Sequence, residues 1–174
     1  MIKNRILKYS LIFGGLAAVA CVLVGLIQYY GLGKSPFGKY KVPALGINLI
    51  FIFFAVWYYR RENGGYLSFS SGFSVGFLTN FFGSLLTGIL FFLFVLVDNR
   101  PLVLWQKENM TNAQKIYNDE KDPKRKEDYK TLIENANLEI KPIYVFFDEV
   151  VKKQYVIIGI ALIGMVLRRR NPAE

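Results

Sequence analysis

The sequence predicts an all-α integral membrane protein, a four-helix bundle with a helical extramembrane hairpin between its third and fourth spans. Three observations carry this prediction. The 174 residues are 53% hydrophobic and 16% aromatic, with a mean hydropathy of +0.28, too apolar for an ordinary water-soluble domain. The apolar residues gather into long runs, as required when about 20 residues must cross a hydrocarbon core roughly 30 Å thick. One long polar stretch interrupts them, and its apolar residues recur at helical spacing. The length suits a single domain, 1–174, with spans at about 9–30, 42–59, 69–97 and 147–167 and an insertion over about 98–146.

The first run, Tyr9 to Tyr30, follows Lys3, Arg5 and Lys8. A secretory signal would begin the same way, and Ala18-Val19-Ala20 before Cys21 could serve as a cleavage site. A signal's apolar region, however, stops after about 7 to 15 residues. Val22 to Ile27 continue the run, so an uncleaved helix is expected. Gly31, Gly33, Pro36 and Gly38 then punctuate a tight turn.

The second span, Val42 to Tyr59, is apolar except for Asn48 and closes on Trp57, Tyr58 and Tyr59 before Arg60 and Arg61. Aromatic rings at headgroup level followed by basic residues mark a membrane boundary. After the Asn63-Gly64-Gly65 turn, Ser68 is placed to cap a new helix by accepting from its free amides. That third span, Phe69 to Val97, exceeds what a bilayer needs and is expected to project beyond it before Asp98, Asn99 and Pro101.

Two amphipathic helices are predicted over the polar stretch. The first carries Trp105, Met110, Ala113, Ile116 and Tyr117 on one side. The second starts with Asp122 as cap and Pro123 at its first position, and carries Tyr129, Leu132, Ile133 and Ala136 on its buried face. Pro142 opens the last helix, where Ile143, Phe146, Phe147, Val150 and Val151 fall on one face and Asp148, Glu149, Lys152 and Lys153 on the other. Only Tyr155 to Leu167 is fully apolar, so the preceding turns must complete the span, with Lys152 and Lys153 snorkelling to the interface before Arg168, Arg169 and Arg170.

A net charge of +9 and a pI near 9.6 would suggest nucleic acid in a soluble protein. Here the basic residues flank the apolar runs, where they anchor helix ends and set orientation, so nucleic acid is not an expected partner. The N-terminus, the Arg60-Arg61 loop and the C-terminal tail hold eight basic and two acidic residues, whereas Asp98 to Lys153 holds eleven of each. Short basic segments stay inside, which places both termini in the cytoplasm despite Lys34, Lys39 and Lys41 in the first turn.

Chemistry is scarce. The chain has no histidine and one cysteine, Cys21, inside the first run, which removes the commonest general base and metal ligand and any intrachain disulfide. Neither a phosphate loop, a dinucleotide fingerprint, zinc-ligand spacing nor a nucleophile elbow occurs. No charged group is expected at mid-membrane, because Asp98, Asp148 and Glu149 are read as lying near or beyond the outer interface. Neither an enzyme nor a cofactor or metal is therefore expected.

The third span offers one constellation: Gly72, Gly76, Thr79, Asn80, Gly83, Ser84, Thr87 and Gly88 at spacings of three and four. Small residues let backbones approach in lipid, and an asparagine can hydrogen-bond across the contact. Gly72, Gly76, Asn80, Gly83 and Thr87 are accordingly the candidate helix-packing or oligomer interface, either against the chain's own helices or against a second copy.

The run Tyr58-Tyr59-Arg60-Arg61-Glu62-Asn63-Gly64-Gly65-Tyr66-Leu67-Ser68-Phe69, with Gly72-Phe73 and Gly76-Phe77 after it, resembles a bacterial family of four-pass membrane proteins catalogued as a domain of unknown function. The resemblance extends to the charged insertion and the basic C-terminal end. It implies a bacterial inner-membrane location and supplies no activity or site residues. The expected role is a non-enzymatic interaction or scaffold component. Its partners are the lipid bilayer and either a second copy or another membrane or periplasmic protein. A small transporter or channel subunit is the rival, and it requires a wet cavity lined by Asn48, Asn80 and Thr87.

Overall fold

A computed structural model describes residues 2–136 and 140–168. The expectations placed on Arg169 and Arg170, and on the side chains of Lys3, Lys39, Leu132 and Ala136, fall outside what is described. Among the described residues the secondary structure is helical throughout: α1 (Ile2–Leu32), α2 (Val42–Glu62), α3 (Phe69–Val97), α4 (Arg100–Asp119), α5 (Pro123–Ala136), α6 (Ile143–Lys152) and α7 (Ile157–Val166), with 3-10 turns at Gly38–Lys41 and Lys153–Val156. Of these, α1, α2 and α3 are long and apolar enough to cross a membrane.

The caps follow from the residues. Ser68 accepts from the Ser71 amide at 3.2 Å and starts α3. Asp122 accepts from the Lys124 amide at 3.0 Å and starts α5 ahead of Pro123. Gly64 and Gly65 take φ of +67° and +84°, left-handed values that only glycine adopts without cost, and they return the chain from α2 to α3.

The α3 helix is the centre of the bundle. On one side α1 runs parallel to it, so close that a Cβ on Gly14 would stand 3.0 Å from the Thr79 carbonyl oxygen. Ser10 donates to the Val75 carbonyl oxygen at 3.2 Å along the same seam. The other sides are taken by α2, α6 and α7. At one end Tyr9, Ala55, Val56, Tyr59, Leu67, Val75 and Leu167 form an apolar core, and at the other Phe37, Phe91, Val95, Leu102, Trp105 and Val145 form a second. The connection from α1 to α2 folds back into this second core, where Phe37 stacks edge-on against Phe91, with centroids 5.4 Å apart.

α4 and α5 pack on each other as the expected hairpin. The apolar face expected of α4 is only partly covered: Trp105 is buried in the second core, but Ile116, assigned to the same face from its spacing, is 47% exposed.

Candidate functional site

The last two helices turn the amphipathic expectation inside out. Val145, Glu149, Lys153, Val156 and Ile160 recur every three or four residues and are buried, while Ile143, Tyr144, Phe147 and Val151 are 42–57% exposed. The charged face of α6 is the inner face. Glu149 is 1% exposed and Lys153 0%, so Lys153 turns into the bundle instead of snorkelling outward, and Glu149 lies covered by protein. Their lengths explain the difference, since a lysine four bonds long can reach into a bundle as easily as out of it when partners wait there.

Those partners come from two other elements. Lys41, at the start of α2 and 3% exposed, places its ammonium 2.9 Å from Asp148 and 2.6 Å from Glu149. Lys153 lies 3.5 Å from the other Glu149 oxygen and donates to the Thr87 hydroxyl of α3 at 2.8 Å. Lys152 closes an i, i+4 pair with Asp148 at 2.5 Å and is 39% exposed. Among the described residues neither Glu149 oxygen receives a well-aligned hydrogen bond, so the carboxylate is held by the charge of two flanking ammonium groups.

Behind the charges stand amides. Asn80 donates to the Lys153 carbonyl oxygen at 3.1 Å and accepts from the Asn48 side chain at 2.6 Å. The backbone there is a 3-10 turn, in which the Ile157 amide bonds to Gln154, the i+3 habit, and the Asn80 amide adds a side-chain bond to the Lys153 carbonyl. Asn48, Asn80, Thr87 and Lys153 are all fully buried. The cluster narrows from the exposed rim at Lys152 to the closed amide pair, and Ile52, Val56, Val75 and Ile160, also fully buried, fill the bundle beyond it.

Depth follows from helix rise. Thr87 lies roughly 15 Å along α3 from Val97 and roughly 27 Å from Phe69, at about 1.5 Å per residue. Around that level the outer surface is apolar, with Leu23 and Ile27 of α1 and Leu86, Ile89 and Leu93 of α3 exposed. A charged centre inside an apolar belt is costly unless its members satisfy one another.

The small-residue stripe of α3 is buried within this one chain and meets four neighbours in turn. A Cβ on Gly72 would stand 3.4 Å from the Gly164 Cα of α7, one on Gly76 2.6 Å from Ile160, and one on Gly83 3.3 Å from the Gly14 carbonyl oxygen of α1. Asn80 joins α2 to the turn after α6, and Thr87 donates to the Gly83 carbonyl oxygen at 2.6 Å while holding Lys153.

Sequence reasoning found Asn80 and Thr87 but missed Lys41, Asp148, Glu149 and Lys153. One signal was available: 145, 149, 153, 156 and 160 continue as a single stripe through α6 and α7, so the charged residues share the face that buries Ile160.

Outside the cluster, Asp98 caps the end of α3 and grips Arg100 through two hydrogen bonds of 2.8 and 2.7 Å. The Arg100 guanidinium holds the Asp98 carboxyl below the usual carboxylate range, and Asp98 in turn raises Arg100.

Comparisons with curated proteins and with solved structures give no significant match. One family profile does match, covering residues 10–170 and described as "Protein of unknown function (DUF4199)". From α1 through α7 the match takes in every helix that builds the cluster, and the chain belongs to that family.

Proposed function

We propose that the chain is a four-pass, non-enzymatic component of a bacterial inner membrane, with α6 and α7 as the fourth span and the α4–α5 hairpin as its partner-facing element. The inverted polarity of α6 carries this reading. In water, a helix with Phe147 and Val151 outside and Glu149 and Lys153 inside would lose on both faces. In lipid the outer face is solvated by acyl chains and the inner face is neutralised by Lys41 and Thr87, so the same arrangement is favourable. The basic short segments support a topology with both termini in the cytoplasm and the hairpin on the periplasmic side.

One observation favours a second reading, a transporter subunit: polar groups run from Lys152 at the rim to Asn48 in the interior. The apolar packing of Ile52, Val56, Val75 and Ile160 beyond Asn48 weighs against it, since a conducting path needs polar lining on both sides.

Topology and flux test the two readings together. Compartment reporters fused at residue 120 and after the C-terminus should sit on opposite sides, and proteoliposomes should pass protons, potassium and chloride no faster than empty vesicles. A photo-crosslinker at exposed Ile116 should capture a defined protein partner. Reporters sharing one compartment would sink the four-pass reading, and a saturable flux would replace the interaction role with transport.

A further inference from the structure

The two halves of the last membrane segment are anchored by different forces. α7 is locked by interdigitation: Gly76 leaves space for Ile160, Gly159 for Leu49, and Gly164 lies against the Phe73 backbone. α6 also packs closely on α3, with Val145 in the second core and Phe146 and its carbonyl against Gly88, but it alone adds ion pairs to that packing. Its outer face would remain in lipid if α6 tilted outward, so the apolar burial lost would be that of Val145 and Phe146 alone. The ion pairs add to the resistance, and attraction between unit charges falls several-fold once water replaces protein around them.

We propose that α6 is a gate, latched by Lys41 on Asp148 and Glu149, that turns on the 3-10 segment Lys153–Val156. This rests on reading α6 and α7 as a membrane span. The turn is suited to a pivot because the i, i+4 ladder of α6 changes there to i, i+3 bonds, the Ile157 amide turning to Gln154, while Asn80 of α3 holds the Lys153 carbonyl in place.

The latch is reached from the hairpin side. Asp148 and Lys152 form its wet rim, and the Lys152 ammonium lies 5.8 Å from the centre of the Trp105 ring of α4. The segment that carries Lys41 is tied to α4 as well: the Ser35 amide donates to Glu108 at 3.0 Å, the Ser35 hydroxyl donates to the Pro101 carbonyl oxygen at 3.4 Å, and Phe37 packs on Trp105 with centroids 5.6 Å apart. The Lys41 half of the latch therefore rests on the helix that a partner would move. A protein binding the α4–α5 hairpin would pull Lys41 relative to Asp148 and Glu149, and the coupling would run equally in reverse.

The molecule carries its own reporter. Cys21 is its single cysteine, 1% exposed, with its thiol donating to the Ala44 carbonyl oxygen at 3.4 Å and lying within the field of Lys153 and Glu149. Full-length protein in lipid vesicles would be labelled with a small neutral maleimide and the rate followed by mass. Wild type and Lys41→Arg should label slowly, while Lys41→Met and Glu149→Gln should label at least tenfold faster. Gly88→Ala should also accelerate labelling without touching a charge, because its Cβ would meet Phe146 at 3.0 Å and push α6 outward. Val151→Ala, on the lipid face, should match wild type.

Far-UV circular dichroism and gel filtration identify variants that have lost the fold, and if both charge variants do so, Gly88→Ala decides. Labelling at the wild-type rate in folded Lys41→Met, Glu149→Gln and Gly88→Ala would overturn the gate, and so would acceleration by Val151→Ala as large as theirs. Reporter fusions separate the two failures: residue 120 and the C-terminus in one compartment would remove the membrane span, whereas opposite compartments with a protected Cys21 would remove the gate alone.

Discussion

Asn80 donates its side-chain amide to the backbone carbonyl of Lys153 at 3.1 Å, tying α3 to the 3-10 turn after α6. Asn80→Leu should therefore lose two buried hydrogen bonds, this one and the one from Asn48, at about 1–3 kcal/mol. Asn48→Leu keeps the bond to Lys153 and should cost less. A double-mutant cycle in mixed-micelle unfolding should return a coupling of roughly 0.6–2 kcal/mol for the pair. Equal losses from the two single variants would show that the Lys153 contact contributes nothing.

Asn80 and Lys153 also show what a sequence can and cannot disclose here. Run length and aromatic belts identified α1, α2 and α3 because those signals are local. Ser68 and Asp122 were legible as caps for the same reason. Asn80 stood out as a polar residue among small ones, but its partner is a backbone carbonyl, which has no sequence signature. α6 misled in a different way. Its apolar and charged faces were read correctly, yet which face turns inward depends on the solvent, and the soluble rule puts charge outside. Lys41 was hidden because it sits next to a turn, where a lysine is ordinarily an exposed anchor, and only the inward fold of the chain around Phe37 carries it to Glu149.

Two adjacent glycines in α1 should behave oppositely. A methyl group on Gly14 would stand 3.0 Å from the Thr79 carbonyl oxygen and 3.1 Å from the Gly83 amide nitrogen, both backbone atoms that cannot swing aside. Gly14→Ala should force α1 off α3 and cost about 1–3 kcal/mol. Gly15 has open space at the same distance, so Gly15→Ala gains helix propensity, up to about 1 kcal/mol. Thermal unfolding of the two variants in detergent should move in opposite directions.

Neighbouring lysines should differ as sharply. Lys153 is wholly buried between Glu149 and Thr87, so Lys153→Met leaves half of Glu149 uncompensated, while the Thr87 hydroxyl keeps its bond to the Gly83 carbonyl oxygen. Breaking one partner out of a buried ion pair costs about 3–5 kcal/mol. Lys152 is 39% exposed and shares Asp148 with Lys41, so Lys152→Met should fall within about 1 kcal/mol. Unfolding midpoints within error of each other would mean that Lys153 is as well solvated as Lys152.

The Asp98–Arg100 pair sets an acid response at the end of α3. Hydrogen bonds from Arg100 lower the Asp98 carboxyl in the folded chain, so the folded state releases this proton more readily than the unfolded one. Stability from the pair is then fully present above the unfolded carboxylate value, about 3.9, and is lost as pH falls through the lower folded value. Arg100→Ala should return Asp98 toward that ordinary value and remove its share of the acid limb, so the variant is less stable than wild type near neutral pH and the two stability curves converge at low pH. Arg100 is largely exposed, so roughly 1 M salt should reproduce part of the shift in the unaltered protein by screening the charge component. Hydrogen bonds from Arg100 lower the Asp98 carboxyl more than its bare charge does, so the substitution should flatten the acid limb more than salt does. Carboxyl carbon shifts of isotope-labelled Asp98, titrated in both proteins, would read the change directly, and identical titrations would separate the helix end from its arginine.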